Sequence, residues 1–220
     1  MTQTAAVLEC DLQAAGADLQ RAVLANLTGR RSIRRYLPRP LAEAEVEEIL
    51  HAIVWAPSAH NRQPVRVIRL EAMPWKTRLA QAMGERLRAD RLRDGDCAEL
   101  VEQDVRRSFA RITGAPLVLV LCMDMSPTDH YPDARRQNAE RTMAAQSVAA
   151  AAQNGLLAAH ALGLGACWMC GPLFCPQAVV EALNAPRHWE PQLLLTIGHP
   201  ANGGKPPSRH AAETMVWRPD

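Results

Sequence analysis

The first chemical signal in the sequence is a basic cluster near the N-terminus, residues 29–35, with the sequence GRRSIRR. An arginine guanidinium binds phosphate through paired hydrogen bonds, and a serine hydroxyl adds a neutral donor. Side chains alternate along an extended chain, so Arg30, Ser32 and Arg34 would lie on one side of it. The cluster predicts a phosphate-binding segment. The alternative is a solvated basic turn, or a patch that pairs with the glutamates after Glu43.

A second candidate is a polar loop that runs from Pro57 to Pro64 with the sequence PSAHNRQP. The two prolines stiffen the loop. The side-chain amides of Asn61 and Gln63 offer donors and acceptors to a planar heterocycle. On its own, the pattern favours the alternative, a simple turn between a helix and a strand.

The cysteines offer a third candidate, because Cys167 and Cys170 form a C-x-x-C pair with Cys175 close behind. A zinc or redox dithiol site is one hypothesis. However, a second C-x-x-C is missing, the histidines do not supply metal spacing, and Gly171 follows at once where a thioredoxin-type helix would begin. The sequence therefore favours buried thiols that pack beside Trp168.

Motifs for other common chemistries are missing from the sequence. No G-x-G-x-x-G follows a predicted strand, and neither a Walker phosphate loop nor a G-x-S-x-G nucleophile elbow occurs. If the chain is an enzyme, a bound cofactor is the natural carrier of its chemistry.

Length and composition predict one domain with a full core: 220 residues, 48% apolar and 22% charged, with a net charge of +2. They exclude disorder over most of the chain and make a general attraction to nucleic acid unexpected. The N-terminus lacks the basic region of a signal peptide, and polar residues interrupt the apolar stretch 148–170, so no membrane span is predicted. We expect a cytoplasmic protein with reduced thiols.

Periodicity and breakers predict the elements that position these residues. The predicted helices cover 1–28, 43–55, 74–93, 96–112, 139–162 and 177–183, and the predicted strands cover 65–70, 116–123, 166–169 and 192–197. A polar loop at 124–133 and an unpatterned tail at 199–220 connect or follow them. Helices and few strands interleave, so the fold class is α/β or α+β with one central sheet.

Taken together, the RRSxR cluster, the APSxxNxQP loop and the later NGLLAAHALGLG stretch resemble the nitroreductase family of flavoproteins over about residues 22–217. From Asp124 on, the stretches MSPTD, ERTM and CWMCGPLFCP are similar to the flavin-binding C-terminal domain of the deazaflavin-coenzyme γ-glutamyl ligase. This resemblance implies an α+β three-layer fold with a mostly antiparallel sheet, a long central helix and a segment-exchanged homodimer. It divides the chain into an N-terminal arm (1–21), an FMN-binding domain (22–198) and a C-terminal tail (199–220).

The resemblance also assigns FMN contacts residue by residue, with no metal and no catalytic side chain. The arginine and serine residues of the cluster match the positions at the phosphate, ribityl chain and N1–C2=O edge. The proline-bounded loop lies along the ring, the turn after 167 lies near N5, and the tail returns to the phosphate. The implied cofactor-binding residues are Arg30, Arg31, Ser32, Arg34, Pro57, Ser58, Asn61, Gln63, Trp168, Met169, Cys170, Gly171, Lys205 and Arg209. Two positions depart from the family pattern: Pro207 replaces a common lysine, and Val65 replaces a common aromatic residue.

The implied activity is ping-pong hydride transfer from NAD(P)H through FMN to a nitroaromatic, quinone or enone. The implied assembly is a homodimer with a flavin at each of two interface sites, and residues 124–138 are expected to act as a substrate lid. Three alternatives stay open: a reductase linked to the deazaflavin coenzyme, the flavin-cleaving dimethylbenzimidazole synthase branch, which no residue favours, and a flavin-binding sensor without catalysis.

Overall fold

The computed structural model describes residues 17–219, so residues 1–16 of the predicted N-terminal arm and helix lie outside the described residues. One sheet has the strand order β1-β2-β4-β3, and each neighbouring pair is antiparallel. Its strands are β1 (Val65–Leu70), β2 (Leu117–Asp124), β3 (Gly165–Met169) and β4 (Trp189–Gly198). The predicted α+β class with a central antiparallel sheet is confirmed.

Helices cover both faces of this sheet. They are α1 (Ala17–Gly29), α2 (Glu43–Val54), α3 (Met73–Arg93), α4 (Ala98–Thr113), α5 (Ala134–Ala161), α6 (Gly171–Phe174) and α7 (Pro176–Leu183). Short 3₁₀ turns occur at Ala59–Asn61 and Ala212–Thr214. Among the described helices, none is long and apolar enough to cross a membrane.

Strand β2 lies at the centre of the layers, which explains its continuous apolar run. Its odd-numbered residues, such as Leu119, belong to a buried cluster with residues of α2 and α5. Its even-numbered residues Val118, Val120 and Cys122 belong to a second cluster with residues of α3 and α7. Side chains alternate along a strand, so a strand that is buried on both faces must be apolar at every position.

Helix α5 is the predicted long central helix, but it begins five residues before the expected start at Ala139. The Asp133 carboxylate accepts a hydrogen bond from the Arg136 N–H at 3.0 Å and so caps the helix. Residues 134–138 are therefore helical, so the lid expected over 124–138, which stays a prediction, would consist of a loop and the first residues of α5. The loop between β2 and α5 covers only residues 125–133.

The chain after β4 is the predicted extended tail. Residues 200–219 are exposed throughout, and the 3₁₀ turn is the regular structure in this part of the described chain. The end of β4 at Gly198 coincides with the predicted boundary between the central domain and the tail, although the three-part division itself stays a prediction. The segment-exchanged homodimer is also still a prediction.

Candidate functional site

Residues 30–36, which we call the arginine segment, run along the outer edge of β3. Ser32 forms a parallel bridge with Ala166, and the Ile33 N–H donates to the Ala166 carbonyl at 3.0 Å. The Tyr36 hydroxyl lies 2.6 Å from the Ile33 carbonyl oxygen and 2.8 Å from that of Thr196, and burial raises its pKa. These bonds fix the segment to the sheet by its backbone, so its basic side chains are not needed to hold it there.

The arginine side chains of this segment take different directions. Arg31 donates from Nη1 to the Thr28 carbonyl in the last turn of α1 at 2.7 Å and to the Arg30 carbonyl just after that helix at 2.9 Å. Arg30 and Arg34 lie near the buried Cys167 thiol, together with Arg111 of α4. Burial raises the pKa of that thiol, and the nearby guanidinium groups oppose the rise. A protonated thiol leaves the guanidinium charges uncompensated.

A cavity of about 210 Å³ opens beside the start of the arginine segment, and we call it the arginine cavity. Its polar side chains are Arg30, Arg31, His160 and Asn202, and no carboxylate is among its lining residues. Backbone lines much of the rest, including Gly29, Gly163, Gly165 and Gly203. Cationic side chains around exposed backbone, without a carboxylate, suit a compact anion such as a phosphate group.

One glycine of this cavity also sets the position of the arginine segment. A Cβ atom on Gly165 would lie 2.7 Å from Ile33 Cγ2 and 2.8 Å from Ile33 Cβ. Such distances are well inside van der Waals contact, so any larger residue at 165 would push the segment away from β3.

The start of the tail returns to the arginine segment. The Ala201 N–H donates to the Arg35 carbonyl at 3.1 Å, and the Leu37 N–H donates to the His199 carbonyl at 2.9 Å. Gly204 has a φ of +71°, which favours glycine, and a Cβ there would lie 3.0 Å from Arg31 Cβ. The predicted Lys205 and Arg209 follow and are exposed. Neither lines the cavity.

The end of β3, the turn after it and the start of α6 hold the other predicted residues of this edge: Trp168, Met169, Cys170 and Gly171. The Trp168 indole N–H donates to Cys170 Sγ at 3.0 Å, and Cys175 Sγ donates to the Gly171 carbonyl at 3.3 Å. Burial raises the pKa of Cys175 to about 11. Within residues 17–219, no group of three His, Cys, Asp or Glu side chains could hold a metal ion.

The proline-bounded loop has a strained backbone. His60, Asn61 and Gln63 have φ angles of 50°, 54° and 51°, and such values are uncommon for residues other than glycine. The Gln63 N–H donates to the Ser58 hydroxyl oxygen at 3.0 Å, and Gln63 Nε2 donates to Asn61 Oδ1 at 3.1 Å. These bonds hold the predicted Ser58, Asn61 and Gln63 in one compact turn that begins at Pro57. Strain of this kind persists where the surroundings fix it, often at a functional site.

One ion pair ties the proline-bounded loop to the β2–α5 loop, and a second joins the two strands that follow and precede these loops. The Arg62 guanidinium pairs with Asp129 of the β2–α5 loop at 2.5 Å, and Arg66 of β1 pairs with the buried Asp124 at the end of β2 at 2.9 Å. Burial alone would raise the pKa of Asp124, but hydrogen bonds from Ser126 and the charge of Arg66 hold it below its usual value. The Arg62–Asp129 ion pair therefore ties the β2–α5 loop to the proline-bounded loop.

Within this chain, the predicted site residues form two separate groups. The proline-bounded loop contacts α5 at Ser147, where the Ala59 N–H donates to the Ser147 hydroxyl oxygen at 3.4 Å. The arginine cavity contacts the same helix at Leu156 and His160. At 1.5 Å of rise per residue, these points are roughly 13 to 20 Å apart. The arginine segment, the turn after β3 and the tail form one group, and the proline-bounded loop forms another.

A larger groove of about 990 Å³ lies between the first half of α5, α7 and the start of β4. The Arg141 guanidinium in it donates to Glu190 Oε1 at 2.8 Å, so these two charges neutralise each other. Its larger volume therefore does not make it the better anion site. The groove adjoins the turn after β3 through Leu173.

Sequence reasoning missed two residues of the arginine cavity, His160 and Asn202. The histidine spacing indicates no metal site, and His160 belongs to the NGLLAAHALGLG stretch, to which the resemblance assigns no FMN contact. Its position in the last helical turn before Gly163 and Gly165 was an available signal, since such a residue lies where the chain turns towards β3. Asn202 carried no comparable signal, because its place depends on the return of the tail.

Comparison with known proteins gives these observations a family context. Residues 27–199 match the model of the nitroreductase family. The chain is 31% identical over 215 residues to an NADH dehydrogenase of Thermus thermophilus, covering 86% of this chain and 92% of that protein. It is 28% identical over 188 residues to an FMN reductase [NAD(P)H] of Bacillus subtilis, covering 82% of this chain and 66% of that protein.

Solved structures agree with this match. A nitroreductase of Desulfovibrio desulfuricans, crystallised in complex with FMN, superposes with a TM-score of 0.69 at 26% sequence identity. The superposition covers 90% of this chain and 96% of that protein. The likeness therefore extends over most of the chain.

Proposed function

Because the chain belongs to the nitroreductase family, we propose that it is an NAD(P)H-dependent FMN oxidoreductase that reduces a small organic acceptor. One observation carries the proposal. The arginine cavity and the turn after β3 lie along one edge of the sheet, joined by the arginine segment. When bound, FMN supplies a ring that accepts hydride from the nicotinamide and passes it to a nitroaromatic, quinone or enone.

The residues present fit the phosphate end of FMN. Arg30 lines the arginine cavity, and no carboxylate of that cavity competes for it. Arg209 and Lys205 follow directly on the chain that returns to the segment, and they are exposed and thus accessible to the same anion. Ser32 adds a neutral hydroxyl on the segment itself. Arg31 has a smaller share in this proposal, because its guanidinium already donates to two carbonyls of the chain.

The residues at the other end fit the ring. Arg34 lies beside the uncharged Cys167 thiol, so its guanidinium is available to negative charge on the N1–C2=O edge. A cation within a few ångströms of such a charge contributes roughly 1–4 kcal/mol, depending on screening. Gly171 is the first residue of α6, and the first N–H groups of a helix have no partner within it. That N–H is suited to orient the ring atom that exchanges hydride.

We propose that a second copy of the chain completes the site. The proline-bounded loop lies far along α5 from the arginine cavity, so it would serve the flavin of the partner subunit. Exposed apolar residues in α1 and in the tail support an interface: Leu19, Val23, Leu24, Leu27, Met215, Val216 and Trp217. Light scattering is expected to give twice the chain mass of 24.2 kDa. A monomer that carries FMN would overturn this part of the proposal.

The function is tested by the colour of the protein and its response to nicotinamides. The purified chain is expected to be yellow and to lose its visible absorbance within minutes when NADH or NADPH is added without oxygen. Oxidants that restore the colour identify the acceptor class, and parallel double-reciprocal lines for donor and acceptor would agree with the ping-pong order. A chain that stays colourless after incubation with FMN would overturn the proposal.

A yellow protein that neither nicotinamide bleaches would point to the other hypotheses. If a reduced deazaflavin bleaches it, the chain is a deazaflavin-linked reductase, as the likeness of residues 167–176 to the ligase domain suggests. If no donor bleaches it, a flavin-binding sensor without catalysis is the better explanation.

A further inference from the structure

His160 lines the arginine cavity, although the family resemblance assigns it no role. It is half-buried in the last turn of α5, and a Cβ atom on Gly29 would lie 3.1 Å from its Nε2. The imidazole therefore packs against the point where α1 ends and the arginine segment begins. The structure records no hydrogen bond from either ring nitrogen to any residue from 17 to 219.

The groups around this imidazole are cationic or neutral. Arg30 and Arg31 face it from the arginine segment, Asn202 faces it from the returning tail, and the remaining lining is backbone or apolar. No acidic residue lines the cavity, so neither the imidazole nor the arginines have a carboxylate partner there. Two guanidinium cations without a carboxylate favour the entry of an anion.

We propose that His160 is a phosphate-binding residue for FMN, whose imidazole N–H donates to the phosphate when the coenzyme is bound. The proposal rests on the proposed function, since it takes FMN as the ligand. It differs from a packing role, in which the ring only fills the space beside Gly29.

The two roles have different consequences for the two flavins FMN and riboflavin. A residue that donates to the phosphate contributes to the binding of FMN and not to that of riboflavin, which has no phosphate. A residue that only packs beside Gly29 would affect both flavins alike.

The experiment compares FMN with riboflavin, which lacks the phosphate. The full-length chain, freed of flavin, is titrated with each flavin at one fixed pH, and flavin fluorescence reports binding. For His160→Gln we expect FMN affinity about tenfold lower and riboflavin affinity unchanged. His160→Arg, which keeps an N–H donor at this position, should restore FMN affinity. His188→Gln, an exposed histidine outside the cavity, is the matched control and should behave as the unmodified chain.

Other outcomes would overturn the proposal. If His160→Gln weakens FMN and riboflavin equally, or weakens neither, the residue has only a packing role. If the unmodified chain binds neither flavin, the proposed function fails as well. If the unmodified chain binds FMN and the His160 variants bind it with the same affinity, the proposed function stands and this inference alone is wrong.

Discussion

Two regions of the molecule are rich in arginine and use it in opposite ways. In the hairpin of α3 and α4, Arg88 pairs with Glu102, and Arg91 pairs with Asp96 and Asp104. Hydrogen bonds that both arginines donate to these carboxylates raise the pKa of Arg88 and Arg91. In the arginine segment and its surroundings, the direction is reversed: burial and the charge of Arg34 lower the pKa of Arg111.

The difference shows which arginines pair with carboxylates of the same chain and which are available to a ligand. Within residues 17–219, no carboxylate lies within 4.0 Å of Arg30, Arg31, Arg34 or Arg35. Backbone bonds to β3 hold that segment, so its cations need no internal partner. A cluster of like charges disfavours the empty site and favours an anion in it. In the hairpin, Arg88 and Arg91 already have carboxylate partners, so their charges do not favour the binding of an anion.

The largest effect is expected from Arg30→Ala, which should weaken FMN binding. Loss of a charge-assisted bond to the phosphate is expected to weaken FMN binding by about 1.5–3 kcal/mol, measured by fluorescence titration. Arg106→Ala, in the exposed part of the hairpin, is the matched control and should leave FMN affinity unchanged. Equal affinities for the two variants would mean that the phosphate lies elsewhere.

The next effect should come from Gly165, which sets the distance between β3 and the arginine segment. Gly165→Ala places a methyl group against Ile33 and is expected to lower the free energy of unfolding by about 1–3 kcal/mol, measured by denaturant unfolding. FMN affinity should fall with it. A Cβ on Gly203 meets nothing within 4 Å, so Gly203→Ala, the matched control for stability, should leave the free energy of unfolding unchanged. An unchanged Gly165→Ala protein would show that the segment can move without cost.

The sequence predicted the scaffold of this site better than the site itself. The apolar run of β2 predicted a buried strand, because burial on both faces requires apolar residues at every position. The start of α5 was missed because its cap depends on one hydrogen bond from the Arg136 N–H to Asp133. Sequence resemblance identified the arginine segment. Its contact with Ala166, more than 130 residues away, follows from the sheet order and has no local signal.

A smaller effect, on thermal stability, is expected from the arginines of the α3–α4 hairpin. Arg88→Ala removes an ion pair whose partners are both more than one-third exposed, and such pairs contribute little. The thermal midpoint should fall by no more than about 3 °C. FMN affinity should not change, because the hairpin charges serve each other and not a ligand. A clear loss of FMN binding would contradict the contrast between the two regions.

The smallest effect is on stability at acidic pH, and we expect it from the carboxylates of the hairpin and not from the arginine cavity. A hydrogen bond from Arg88 holds the pKa of Glu102 below its usual value. A carboxyl group with a lowered pKa in the folded state stabilises the protein above its unfolded pKa, about 4.3, and loses that contribution as the pH falls through the folded value. The difference in thermal midpoint between the unmodified chain and Glu102→Gln should therefore be present at pH 7 and disappear near pH 3. No carboxylate lines the arginine cavity, so that cavity should contribute nothing to this acid dependence. A difference that persists at pH 3 would mean that Glu102 stabilises the hairpin by packing rather than by its charge.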